Sequence, residues 1–236
     1  MTIRAVVFDI GGVLEITPRT GWVEKWEARL HLQPGELDER LIDVWRDGSL
    51  GTISEEDMKK RIGELMGMDQ RHVQALMADL WEEYLGELNV ELAAYFTSLR
   101  PRYRTALLSN SFAGARSKEQ ERYHFADICD LLIYSHEEGI AKPERRIFEL
   151  TCGRLGVQPA EVIFLDNVEA NVAAARACGI QAILFRETKE AIADIQACLQ
   201  TPSPLTYAVR YPSSGDENAL EGEEFGNIDS SSCAGS

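Results

Sequence analysis

The sequence predicts an α/β protein in which a doubly wound parallel sheet is interrupted early by an all-helical insertion. Three observations predict it. The apolar run from Ile3 to Phe8 ends in Asp9 and passes straight into Gly11 and Gly12, as a strand delivering an acid into a turn would. Residues 21–86 carry apolar side chains at helical spacing and few β-branched runs. From residue 103 onward, short apolar runs of strand length alternate with helical patterns, which is the signature of parallel strands joined by crossover helices.

The insertion reads as four helices, marked in turn by Trp22, Trp26 and Leu30; by Leu37, Leu41, Val44 and Trp45; by Met58, Ile62 and Leu65; and by Val73, Leu76, Met77, Leu80, Trp81 and Leu85. Pro34 suits a first helical turn, and Ser54 with Asp57 three residues on offers an N-cap. A further helix spans 89–99. Strands are then expected at 103–108, 131–134, 162–165 and 182–185, with helices near 113–122, 144–155, 168–178 and 189–199, the third closed by Gly179 as a C-cap. The predicted division is a core of residues 1–16 and 87–200, a helical insertion of 17–86 and a tail of 201–236. The tail holds Asp216, Glu217, Glu221, Glu223, Glu224 and Asp229 against Arg210, too little apolar surface to offset ordering entropy, so it is expected to be flexible.

The chain has 236 residues, 44% of them apolar and 27% charged, enough for a sizeable core and far from fibrous or disordered compositions. Its formal net charge of −15 has no basic stripe to oppose it, which excludes a large nucleic-acid footprint. A phosphorylated ligand would meet the same repulsive field and would need local positive charge or a divalent cation. Cys129, Cys152, Cys178, Cys198 and Cys233 are widely spaced and form no CxxC pair, as expected for reduced thiols in a cytoplasmic protein. No secretory h-region opens the chain and no apolar stretch approaches the roughly 20 residues of a membrane span, so no membrane association is expected.

Four islands carry chemistry, each at a strand end or helix start. Asp9 precedes its glycines; Ser109, Asn110 and Ser111 follow the second core strand; Lys142 and Pro143 precede a helix; and Asp166 and Asn167 end a buried strand before a helix whose Asn171 faces back one turn later. Two strand-end acids on neighbouring strands could share a cation with oxygen ligands, for which Mg²⁺ is the natural choice.

In this order the islands resemble the four signature motifs of the haloacid dehalogenase superfamily, over residues 2–199. The resemblance implies a Rossmann-like core with a helical cap inserted after the first motif, and a phosphatase acting on small phosphorylated metabolites. It implies that Asp9 is the nucleophile that becomes an aspartyl-phosphate. Mg²⁺ would be held by Asp9, the Gly11 carbonyl, Asp166 and Asn167. Ser109, Asn110, Gly12 and Lys142 would bind the phosphoryl group, with Lys142 also offsetting charge on the nucleophile.

Two positions depart from the family pattern. Gly11 stands where most such phosphatases carry a second Asp that protonates the leaving group, which implies slow turnover or leaving groups needing little protonation, such as acyl or anomeric phosphates. Asn167 stands where many relatives place a second acid, removing a charge from the metal site. Two alternatives therefore stay open: a metal-independent 2-haloacid dehalogenase, and a catalytically impaired binding or regulatory protein that keeps the fold. Substrate identity would depend on insertion side chains such as Glu15, Arg19, Trp22 and Trp45, the tryptophans being expected in the core of the helical block. Oligomeric state is not legible.

Overall fold

A computed structural model describes residues 2–200; the expected acidic tail at 201–236 lies outside them. Strand β1 (Ala5–Phe8) is followed by a two-residue strand β2 (Glu15–Ile16), then by helices α1 (Trp22–Arg29), α2 (Glu36–Ser49), α3 (Glu55–Met66) and α4 (Gln70–Leu85) and by strand β3 (Glu87–Leu88). The rest alternates: α5 (Val90–Ser98), β4 (Arg104–Ser109), α6 (Ala115–Tyr123), α7 (Phe125–Ile128), β5 (Leu131–Tyr134), α8 (Ser135–Glu138), α9 (Arg145–Leu155), β6 (Val162–Asp166), α10 (Glu169–Ala177), β7 (Gln181–Leu184) and α11 (Thr188–Gln200).

The five long strands form one parallel sheet in the order β5-β4-β1-β6-β7. β1 is central and buried throughout, and its successive side chains feed opposite faces, as the pleat requires. Val6 and Phe8 join Phe96, Leu107, Phe125 and Ile195 on one face. Ala5 and Val7 join Leu108, Phe148, Phe164 and Val172 on the other. Two hydrophobic layers therefore clamp β1, and its C-terminal end is fixed between β4 and β6.

Helices α1–α4 build a third apolar cluster around Trp26, Leu41, Met58, Ile62 and Leu76. The chain enters and leaves this block through β2 and β3, which pair antiparallel as Glu15 with Leu88 and Ile16 with Glu87. These two-residue strands are too short for a periodicity signal, and the sequence reading lacks them. Ser54 caps α3 in a reciprocal box with Asp57, as expected. Pro34, expected in a first helical turn, instead lies ahead of α2, whose N-cap is Gly35 at φ 84°. The buried Glu27 carboxylate accepts from the Gly35 and Leu37 N–H groups, so α1 supplies the cap that α2 lacks.

The helical block also touches the sheet domain at the end of α2. Gly51 adopts φ +65°, and a Cβ there would lie 1.7 Å from the His136 carbonyl oxygen. Beside it the Ser135 hydroxyl donates to the Ser49 carbonyl at 3.0 Å. Among the described residues no helix is long and apolar enough to cross a membrane.

Candidate active site

Asp9 and Asp166 come together, because β1 and β6 are parallel neighbours with Phe8 opposite Leu165 and the next residue on each strand is the acid. Lys142 lies between them. Its ammonium donates to Asp9 Oδ1 at 2.7 Å, to Asp166 Oδ2 at 2.8 Å and to the Leu108 carbonyl of β4 at 2.9 Å, with a side-chain exposure of 1%. All three of its protons are used. Lys142 thus offsets charge on the acids, and a contact to a phosphoryl group would cost one of these bonds.

Asn110, expected to bind phosphoryl oxygens through its amide, is engaged elsewhere. Its Oδ1 accepts from the Lys142 N–H at 2.8 Å and its Nδ2 donates to the Lys142 carbonyl at 2.7 Å. The amide thereby pairs with the lysine main chain as one strand pairs with another, and it sets the lysine's position. Ser109 is buried at the end of β4, and among the described residues its hydroxyl makes only a 3.5 Å contact with the Asn110 carbonyl, which leaves it able to donate to an incoming anion. Ser111 braces the same loop: its N–H donates to the Ser135 hydroxyl, and its own hydroxyl lies 2.8 Å from His136 Nδ1.

The carboxylate of Asp166 is saturated. It accepts from Lys142, from the Val168 N–H at 2.7 Å and from Asn171 Nδ2 at 3.1 Å to each oxygen, which fills the four acceptor positions of a carboxylate. Asp9 differs. Its Oδ1 takes the Ile10 N–H and Lys142, while Oδ2 has no hydrogen bond among the described residues. Burial pushes its pKa up to about 7, with Lys142 pulling down and Asp166 pushing up. Gly12 adopts φ +73°, a left-handed conformation that favours glycine, and the Asn167 amide lies over it, 2.1 Å from where a Cβ would be. Gly11 has nothing within 4 Å of its Cβ position.

Magnesium is bound through one or two carboxylates plus waters and substrate phosphate rather than by an all-protein cage. The free Asp9 oxygen and the exposed Asn167 amide against Gly12 fit that demand, whereas Asp166 has no lone pair to spare. Among the described residues no group of three or more His, Cys, Asp or Glu could hold a metal.

A second acidic group lies near the first and was not legible as a site. Glu15 of β2 and Glu119 of α6 are both fully buried. The Tyr84 and Tyr134 hydroxyls donate to Glu119, but neither Glu15 oxygen has a partner. Burial, then the charges of Glu119 and Asp9, push Glu15 up to about 10, so it stays protonated at neutral pH. Glu119 sits four residues after the buried Ala115 on a helix that is otherwise strongly polar, and that spacing is the one sequence signal that could have exposed it. Of the other candidate specificity residues, Arg19 is exposed, while Trp22 and Trp45 are only partly buried and line a cavity.

Residues 3–179 match the haloacid dehalogenase-like hydrolase family. Acyl-CoA dehydrogenase family member 10 of Mus musculus is 30% identical over 92% of this chain and 21% of its own length. Bifunctional epoxide hydrolase 2 of Rattus norvegicus is 36% identical over 86% of this chain and 40% of its own. The chain thus spans well under half the length of these relatives. Several relatives matched over less of this chain are named as phosphatases, and another as a pyrimidine 5'-nucleotidase. A haloacid dehalogenase family enzyme of Bacteroides thetaiotaomicron, solved with magnesium and inorganic phosphate, shares the fold at a TM-score of 0.67 and 24% identity, covering 78% of this chain and 94% of that one. Solved 2-haloacid dehalogenases share it more distantly.

Removing the lysine leaves two buried acids without their cation. Lys142→Ala is expected to lower stability by about 3–5 kcal/mol in urea unfolding, with Lys142→Arg failing to restore it because a planar fork cannot reach three convergent acceptors. For Glu15 the native state keeps a proton that the unfolded chain releases near the ordinary value of 4.5, so stability is lost as pH rises between there and about 10. Glu119 and Asp9 add the same sign only up to about 7. Between pH 7 and 9 the wild type should lose stability by up to about 1.4 kcal/mol per pH unit, and Glu15→Gln should flatten that slope in thermal or urea unfolding.

Proposed function

The chain belongs to the haloacid dehalogenase-like hydrolases, and on that premise we propose that it hydrolyses small phosphate monoesters through an aspartyl-phosphate formed on Asp9. What carries this reading is the state of the Asp9 carboxylate: one oxygen is pinned by Lys142 and the Ile10 N–H, and the other is free at the C-terminal edge of the sheet. A nucleophile needs that combination of fixed direction and open lone pair.

The remaining residues take roles that follow from their bonding. Lys142 opposes the upward push of burial on Asp9 and holds it at a set distance from Asp166. Asp166 and Asn171 orient the lysine, and the Asn110 amide fixes its backbone. The Ser109 hydroxyl is the free donor for a phosphoryl oxygen, and Gly12 leaves room for Asn167. Asp9, the Gly11 carbonyl and Asn167 would hold Mg²⁺, with Asp166 acting behind them. When bound, the ion would supply positive charge to offset the negative charge on the phosphoryl oxygens.

In the reaction Asp9 Oδ2 bonds to phosphorus as the ester oxygen departs with its electron pair. Water then attacks the phosphorus of the aspartyl-phosphate, releasing inorganic phosphate and the free carboxylate. No side chain at position 11 gives the departing oxygen a proton. Phosphate release from p-nitrophenyl phosphate that stops with EDTA and with Asp9→Asn is the expected result. Metal-independent halide release from 2-chloropropionate would replace this reading with dehalogenation, and silence on both substrates would replace it with a non-catalytic role.

The open space at Gly11 makes a gain of function testable. Its backbone lies outside the left-handed region, so an Asp side chain fits without strain. Gly11→Asp is expected to raise kcat on alkyl phosphates by roughly 10²–10⁴, the range of general acid-base catalysis, and to change kcat on p-nitrophenyl phosphate far less.

A further inference from the structure

Trp22, Trp45, Leu80, Tyr84 and Phe112 wall a cavity of about 300 Å³ between the helical block and the loop after β4, at the small end of the range for ligand pockets. Thr17 and Glu83 are its polar lining residues. The Glu83 carboxylate is turned to Thr20, accepting from its N–H at 2.7 Å and its hydroxyl at 2.6 Å. The walls therefore present ring faces and edges with little hydrogen-bonding capacity: Tyr84 and Phe112 meet edge to face at 4.9 Å, and Trp81 backs Phe112 at 4.8 Å. Sugar or nucleotide hydroxyls buried there would go unpaired, whereas a flat apolar ring would stack.

The cavity reaches the loop that leaves β4. Phe112 lies three residues beyond Ser109 on the same loop. Tyr84 donates to Glu119, and Asp9 is near enough for its charge to act on that carboxylate. A second, independent feature points to the same chemistry. With Gly11 after the nucleophile, the departing oxygen receives no proton from position 11, and an aryl oxide tolerates this because a phenol ionises near 10, as tyrosine does.

We propose that the substrate is an aryl phosphate monoester whose aromatic ring occupies this cavity while its phosphoryl group meets Asp9. The proposal rests on the phosphatase reading and narrows it to one leaving-group class. The bond from phosphorus to the phenolic oxygen breaks as the bond to Asp9 forms, the aryl oxide leaves with the electron pair and is protonated by solvent, and water then releases phosphate from Asp9.

The test uses the full chain with Mg²⁺ and compares 1-naphthyl phosphate, glycerol 3-phosphate and acetyl phosphate, the last too small to fill the cavity. The expected result is a kcat/KM at least 100-fold higher for 1-naphthyl phosphate than for glycerol 3-phosphate. Trp45→Ala and, as a second variant with a separate folding risk, Trp22→Ala should each lower the ratio of 1-naphthyl phosphate to acetyl phosphate turnover at least tenfold, mainly through KM. Equal rates on the naphthyl and glycerol esters, or a ratio unmoved by both variants, overturns the proposal. If even acetyl phosphate is not hydrolysed, the phosphatase reading itself has failed. The cavity is then judged by quenching of tryptophan fluorescence with 1-naphthol: saturable binding weakened tenfold in Phe112→Ala supports an aryl site, and no saturable binding overturns it.

Discussion

One buried ammonium ties together the ends of the three central strands. Lys142 spends its three protons on Leu108 of β4, Asp9 after β1 and Asp166 of β6. An unpaired charge in this position would be costly, and two acids at neighbouring strand ends without it would repel. The lysine makes the pair tolerable, and the Asn110 amide, clasping its backbone on both sides, keeps the lysine from withdrawing. The geometry of the Asp9 carboxylate is thus enforced by electrostatic necessity as well as by packing.

The same bonding separates two acids that look equivalent in the chain. Asp166 accepts from three different donors, which occupy both of its oxygens. Asp9 retains an open oxygen. Two strand-end carboxylates can carry different duties when the number of donors around each differs, and here that number is set by α10, whose first turn brings Asn171 back onto Asp166.

Much of the sheet was legible because its signals are local and repeated. The run before Asp9, the alternation after residue 103 and the Ser54 cap each depend on a few adjacent residues. The convergence of Asp9 with Asp166 was also legible, since parallel neighbours end together. What the chain concealed depends on partners distant in sequence. Nothing near Asn110 announces that its amide will pair with Lys142, and nothing near Lys142 says that all its protons will be taken. Glu15 read as a cleft residue, yet β2, two residues long and paired with the distant Glu87 and Leu88, turns it inward near Glu119. Trp22 and Trp45 read as core residues, but the cluster that buries Trp26 leaves both at its margin.

The contact at Gly51 bears on how the molecule can move. The helical block meets the sheet domain through the β2–β3 ribbon and again where the turn after α2 rests on the His136 carbonyl. The same block also reaches α6, where Lys118 pairs with Glu55 at 3.4 Å and the Tyr84 hydroxyl donates to Glu119. With attachments at the ribbon, at Gly51 and at α6, the block has no single line about which to swing, and a methyl group at Gly51 would wedge against the His136 carbonyl.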